Sequence, residues 1–443
     1  MKYYSTNKIV SDVSLEEAVI KGLAADKGLY MPNSIKKLPA EFFEEIENMS
    51  FQEMSYRVAD AYFGEDIPAE DLKEIVYGTL NFDAPVVHVN NNIYSLELFH
   101  GPTLAFKDVG ARFMARLLGY FVKKSVDKQV NVLVATSGDT GSAVANGFLG
   151  VPGVHVYVLY PKGKVSEIQE KQFTTLGQNI TALEINGCFD DCQALVKQAF
   201  LDEELNSKLF LTSANSINLA RFLPQSFYYF YAYAQLKKMG KADNLVVAVP
   251  SGNFGNITAG LFAQQMGLPV KRFIAANNRN DIFYNYLRTG SFEPKASVCT
   301  IANAMDVGNP SNFARILDLY GHNHEEICKH IGGETYNDEQ IAEGVKKTWK
   351  ESKYLLDPHG ACGYLALTDQ LKPEETGVFL ETAHPAKFKD TIDRILEEDI
   401  EIPLPLQEFM KGTKDTIETS NQFADLKDFL LKEQLYNSET CYY

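Results

Sequence analysis

Val246-Val247-Ala248-Val249-Pro250-Ser251-Gly252-Asn253-Phe254-Gly255-Asn256, running on into Ile257-Thr258-Ala259-Gly260-Leu261-Phe262-Ala263, decides the fold class. A β-branched run feeds a glycine-containing loop, and an apolar helix follows. Strand, loop and helix in that order put free backbone N–H groups around an anion at the helix start. Gly252 and Gly255 allow close backbone approach there. Turn chemistry alone also produces strand-GxxG-helix patterns, so the loop needs company before it means a site. It is not G-x-G-x-x-G, so a dinucleotide is not indicated.

The company comes from two earlier loops. Val132-Leu133-Val134-Ala135-Thr136-Ser137-Gly138-Asp139-Thr140-Gly141-Ser142 is again a strand running into a helix. Its hydroxyls and glycines suit a ligand carboxylate or phosphate, although Ser, Thr and Asp also cap helices. His100-Gly101-Pro102-Thr103-Leu104-Ala105-Phe106-Lys107-Asp108 puts Lys107 in a tight turn beside an aromatic and just before an apolar helix. A lysine shielded from water is biased toward its neutral form. A neutral amine is a nucleophile able to form an imine with a carbonyl. Alone, Lys107 would read as a solvated lysine at a helix start.

H-G-P-T-L-A-F-K-D, T-S-G-D-T-G-S and S-G-N-F-G-N, in this order, resemble the threonine synthase family among the fold type II pyridoxal-phosphate (PLP) enzymes. The resemblance runs over nearly the whole chain. Tyr3-Tyr4-Ser5-Thr6-Asn7 and Gly22 to Tyr30 are similar to the N-terminal region of the family's longer form, and Asp357-Pro358-His359-Gly360-Ala361 and Glu381-Thr382-Ala383-His384-Pro385 match late motifs. It implies that Lys107 links covalently to PLP, that Gly252, Asn253, Phe254, Gly255 and Asn256 cradle the cofactor phosphate, and that the Thr382 hydroxyl meets the pyridine nitrogen. Thr136, Ser137, Gly138, Asp139 and Thr140 then become the loop for the substrate α-carboxylate. Asp139 is out of place beside an anion, and bracing its own turn by accepting backbone N–H bonds is its expected work.

A substrate with its own phosphate needs a second anion site. Ser213-Ala214-Asn215-Ser216-Ile217-Asn218-Leu219-Ala220-Arg221 enters a helix. Asn218 and Arg221, three apart, can share a helical face, and arginine offers a planar fork suited to phosphate. Asn215 stands in the same loop. A capped helix with a solvated arginine is the plainer reading. Lys162 and Lys164 are weaker candidates for the same work.

The reaction implied by the resemblance converts O-phospho-L-homoserine and water to L-threonine and phosphate. Lys107 is displaced by the substrate amine and becomes the acid/base beside Cα. Protons leave Cα and Cβ, the γ-phosphate departs, and water adds at Cβ. Two alternatives stand beside it. One is another PLP lyase of the same fold type, such as a hydroxyamino-acid dehydratase or a phospho-lyase giving 2-oxobutyrate. The other is a noncatalytic ligand-binding paralogue.

Bulk properties fit an enzyme of two or three domains. The chain has 443 residues, 45% of them hydrophobic, and no apolar run long enough to span a bilayer. A net charge of −16 argues against nonspecific nucleic-acid binding. The first residues lack a signal-peptide stretch, and six scattered cysteines read as reduced thiols. The location expected is therefore cytoplasmic, with no membrane or nucleic-acid partner and the oligomeric state open. His322, His324, Cys328 and His330 read as a polar turn entering a helix, and no metal is implied.

Organisation follows periodicity. Residues 1–82 read as an N-terminal helical domain with little strand signal, Phe42–Glu53 and Pro68–Tyr77 being examples. After that, strands and helices alternate: strands Val130–Thr136, His155–Tyr160, Ile180–Ile185, Leu245–Val249, Arg272–Ala276 and Gly377–Glu381, and helices including Val165–Leu176, Phe189–Leu201, Ile217–Lys238 and Asn256–Met266. The fold class expected is α/β, with parallel sheets flanked by helices. Residues 83–130 and 205–443 are expected to form a large cofactor domain, and 131–204 a small substrate-loop domain. The aromatic run Phe227 to Tyr231 reads as core or interface packing.

Overall fold

The computed structural model describes residues 1–125 and 129–440; the ends of the expected spans at 126–128 and 441–443 lie outside the described residues. The strands, in chain order, are β1 Tyr3–Ser5, β2 Tyr30–Pro32, β3 Val86–Asn90, β4 Ile93–Glu97, β5 Val130–Ala135, β6 Val154–Pro161 and β7 Ile180–Asn186. There follow β8 Phe210–Ser213, β9 Leu245–Pro250, β10 Val270–Asn277, β11 Ile331–Thr335, β12 Thr376–Glu381 and β13 Ile417–Ser420.

Two helix-flanked sheets organise the chain. The larger has the order β11-β10-β9-β12-β4-β3, and the smaller β13-β7-β6-β5-β8. Every neighbouring pair is parallel except β3 with β4. Every residue of β5, β9 and β12 is buried. That is why they do not alternate apolar with polar and are mostly apolar, Asn131, Thr376 and Glu381 being the polar exceptions: helices cover both faces, and no position faces water.

Sheet membership corrects the expected division of the chain. β8 and β13, both inside the 205–443 span assigned to the large domain, belong to the small sheet. Leu426 and Leu430, from helix Phe423–Thr440, join Leu183, Ile185 and Leu195 in its core. β13 is Ile-Glu-Thr-Ser, with no buried residue, so it carries no apolar signature.

Two expected helices are broken for local reasons. Ile217–Lys238 becomes helix Leu219–Phe222, a tight turn Leu223–Gln225 and helix Ser226–Lys238. Pro224 cannot donate to the preceding turn and breaks the run. Phe42–Glu53 splits into Ala40–Glu45 and Phe51–Phe63, the second capped by Ser50, which accepts the Glu53 N–H at 3.1 Å. The N-terminal region also contains a small antiparallel pair, β1 with β2.

Phe227, Tyr228, Tyr229 and Phe230 are buried. Two of them also brace the ligand loops. Tyr228 donates its hydroxyl to Phe106 O at 2.9 Å, and Tyr229 to Asn256 Oδ1 at 2.8 Å.

Candidate active site

The cofactor-type loops leave the carboxyl ends of parallel strands, where ligands of open α/β sheets collect. β5 feeds residues 136–140, β8 feeds 214–221, β9 feeds 251–256, and β12 feeds Thr382. Between them lies a cleft whose wall includes Lys107, Ser137, Thr140, Asn215, Arg221 and Thr382, together with Gly252 to Asn256.

Lys107 opens the helix Lys107–Ser125 and is half-buried on the cleft wall. Its turn is fixed from two sides. Phe106 N–H donates to Thr382 O at 2.8 Å, and His384 N–H to Leu104 O at 3.0 Å, stitching the turn to the end of β12. Buried Asp108 accepts from Thr103 N–H at 3.0 Å and Thr103 Oγ1 at 2.6 Å. Burial brings the Lys107 amine down to about 8, helped by Arg221 and Lys387 and opposed by Asp139. Much more of it is neutral near neutral pH than in a solvated lysine.

In the β9 loop, Phe254 has φ 63° and caps helix Gly255–Gln265. This left-handed turn by a bulky residue aims successive N–H groups at one place, and those of the first helical turn have no intrahelical acceptor. The Asn256 carbonyl oxygen is occupied by Tyr229, while its buried Nδ2 has no partner. The loop is stitched to the 214–221 loop. Asn253 Nδ2 and Asn312 Nδ2 each donate to Ser216 Oγ at 3.0 Å. Arg315, fully buried, donates to Ser216 O at 2.9 Å and Ile217 O at 2.7 Å while reaching back to Tyr30 O.

Arg221 is 3% exposed and donates to Ala214 O, yet its Nε is unpartnered. Burial lowers it only to about 10, so it is a cation at neutral pH. No carboxylate among the described residues is in ion-pair range of it. Asn215 holds the loop to β5 by donating to Ala135 O at 3.0 Å.

Several expected ligand residues work elsewhere. Asn218 caps the short helix, accepting from Ala220 N–H at 3.0 Å, and donates to Val19 O at 2.8 Å; it is fully buried and away from the cleft. As a cap it lies outside the helix, so the shared-face spacing does not apply. Thr136, not Asp139, braces the β5 loop, accepting the Gly138 and Gly141 N–H groups at 2.9 and 2.8 Å. Asp139 instead accepts from Gln169 Nε2 at 2.8 Å and pairs with Lys387 at 2.6 Å. Thr136, Gly138 and Asp139 shape the loop, and Ser137 and Thr140 reach the cleft. Lys162 is held by Glu418 at 2.7 Å, and neither it nor Lys164 lines the cleft.

Residues 303–307, Ser216 and His359 complete the wall. His359 Nδ1 donates to Asp357 at 2.6 Å, since its Nε2 accepts the Ala304 N–H at 3.1 Å. Burial raises Asp306 to about 6 against four donated hydrogen bonds from Thr300, Asn278 and Asn280. Ser216 and His359 lie in strings that the sequence singles out; the loop around 303–307 carries no such signal.

An amine poised near neutrality, an unpaired buried guanidinium and a strained strand-to-helix loop around one cleft fit a carbonyl cofactor with a phosphate and a second anionic ligand. The family described as "Pyridoxal-phosphate dependent enzyme" matches residues 80–382, "Threonine synthase N terminus" matches 2–79, and "Threonine synthase, C-terminal" matches 360–430. The chain belongs to the threonine synthase family. Its similarity to threonine synthase from Escherichia coli strain K12 is 48% identity over 434 residues, covering 98% of this chain and 100% of that relative. The Escherichia coli threonine synthase structure superposes with a TM-score of 0.92 at 46% identity, covering 98% of this chain and all of that one. PLP-bound threonine synthase from Brucella melitensis matches with a TM-score of 0.89 at 34% identity, covering 97% and 98%. The architecture is thus that of fold type II PLP enzymes, and pyridoxal phosphate is the cofactor.

Proposed function

We infer that the protein converts O-phospho-L-homoserine and water to L-threonine and phosphate. The observation that carries this reading is one cleft lined by Lys107, by the helix start at Phe254–Asn256 and, separately, by the buried guanidinium of Arg221 beside Asn215. The helix start suits a cofactor phosphate, and the guanidinium a phosphate on the substrate.

When bound, PLP supplies an electron sink for negative charge developing at the substrate Cα. The protein's residues supply the rest. Lys107 offers its neutral amine to the cofactor carbonyl and then, beside Cα, takes and returns protons. Gly252 to Asn256 present N–H groups to the cofactor phosphate, with Asn256 Nδ2 as a further free donor. Thr382 brings a neutral hydroxyl to the ring nitrogen; a hydroxyl cannot hold that nitrogen protonated as an ionised carboxylate would. Ser137 and Thr140 receive the α-carboxylate. Arg221, with Asn215, binds the γ-phosphate and holds it as it leaves with its charge.

The test is incubation of the PLP-loaded protein with O-phosphohomoserine, following phosphate, threonine and 2-oxobutyrate in one sample. Equal phosphate and threonine are expected. Phosphate matched by 2-oxobutyrate would identify a phospho-lyase, and no release of phosphate would identify a binding protein. We also propose that the protein acts in the cytoplasm, where the free thiols of Cys188, Cys192, Cys299, Cys328 and Cys362 stay reduced. Fractionation of cells expressing it checks this.

A further inference from the structure

Lys387 has no part in the reading above, yet it is fully buried a short way beyond Thr382. Its ammonium pairs with Asp139 at 2.6 Å and donates to Thr103 O at 2.8 Å. Its carbonyl accepts Ser166 Oγ at 3.0 Å, and Ser166 in turn caps the helix that carries Gln169. Gln169 donates to Asp139. One side chain therefore ties together the turn holding Lys107, the β5 loop and the segment after β12.

Asp139 is the one carboxylate that draws a proton toward Lys107; Arg221 and Lys387 push it away. Burial works to raise the Asp139 carboxyl, but Lys387 and Lys107 outweigh burial and bring it down to about 2, so it is ionised. An ionised carboxylate facing only Lys107 would capture its ammonium. Lys387 removes that possibility by taking the carboxylate first. The groups facing Lys387 are Asp139, Asp108, His384 and Lys107 itself, and those facing Asp139 are Lys387, Lys107 and Gln169.

We propose that Lys387 is a positioning residue for Lys107: by neutralising Asp139 inside the protein, it leaves the Lys107 amine unprotonated and available to the cofactor. This rests on Lys107 being the residue that joins PLP. A lysine placed only to fasten two segments would affect stability. A lysine placed to balance charge affects the pH at which Lys107 reacts, and it does so with a sign.

The experiment measures the rate at which full-length protein, freed of cofactor, captures added PLP in a borohydride-reducible form across pH. Lys387→Met should move the midpoint upward, because Asp139 then holds the Lys107 proton. Asp139→Asn should move it downward, because attraction is lost and a bare cation remains. A shift of one pH unit changes the capture rate about tenfold at fixed pH below the midpoint. The double variant should fall between the two, and Lys387→Arg should keep the original midpoint. If Lys387→Met fails to fold, Lys387→Gln, which loses the charge but keeps a donor toward Thr103 O, gives the same contrast with Asp139→Asn. Midpoints of Lys387→Met and Asp139→Asn that stay put or move in the same direction overturn the proposal. Capture that survives in Lys107→Ala instead overturns the assignment of Lys107 itself.

Discussion

Arg221→Met separates the two anion sites. The guanidinium is 3% exposed, its Nε has no partner, and Asp108 attracts it without an ion pair among the described residues, so an arriving anion would give it its first direct one. Hydrogen bonds to charged groups contribute about 1.5–3 kcal/mol. Removing them from the bound substrate phosphate should lower kcat/KM for O-phosphohomoserine roughly 10- to 150-fold. The Phe254–Asn256 loop is untouched, so PLP affinity should stay within about twofold of the parent, well under 1 kcal/mol. In the ligand-free protein the sign reverses, because an unpaired buried charge is costly and a methionine of similar length is not. The variant should therefore melt no lower than the parent, despite the lost bond to Ala214 O. Spectroscopic PLP titration, steady-state kinetics and thermal melts of the same preparation give all three readings. Equal losses in PLP affinity and kcat/KM, or an unaltered kcat/KM, would refute the assignment of Arg221 to the substrate.

Three further outcomes are expected. Thr382→Asp should retain PLP while threonine per phosphate falls and 2-oxobutyrate rises, since an ionised carboxylate favours a protonated ring nitrogen; both products are counted against phosphate. In cofactor-free protein, Lys107 sits at about 8 against the usual 10.5, so the unfolded chain binds more protons between those values and stability should rise with pH across that window; denaturant melts should show this part of the slope vanish in Lys107→Met. Gly138→Ala forces a side chain onto φ 142° and puts its Cβ 2.6 Å from Gln169 atoms; it should cost about 1–3 kcal/mol in denaturant melts and weaken substrate binding by displacing the partner of Asp139.

What the sequence revealed and concealed divides along chain distance. The loops at 136–140 and 251–256 were legible because strand, loop and helix are adjacent in sequence. The purpose of their glycines was less so. Gly252 and Gly255 suggested room for a ligand, but an added Cβ would meet Ala304 O at 2.7 Å and Ser216 Cβ at 3.0 Å. They let neighbouring loops close on one another, so a bulky residue at 255 would disturb both anion sites. Asp139 was misread for a related reason. A carboxylate in a first helical turn ordinarily caps, and its actual partner, Lys387, comes from a distant segment without periodicity or motif. Asn218 resembled a helix-face residue because spacing alone does not show where a helix begins. The split after Phe222 was visible in Pro224 and was overridden by the apolar run around it.

The path of the chain between the sheets has a consequence for synthesis. Residues 130–213 build four strands of the small sheet, the chain leaves to complete the large one, and only at Ile417–Ser420 does it return to cover the edge of β7. Until Leu426 and Leu430 arrive, apolar surface around Leu183 and Leu195 is bare, and an open strand edge is available to any neighbouring chain. A nascent protein therefore carries an adhesive half-sheet through the translation of some two hundred residues. Truncation before β13 would make that transient state permanent, and its cost would be read as aggregation, even though no residue lining the cleft had been removed.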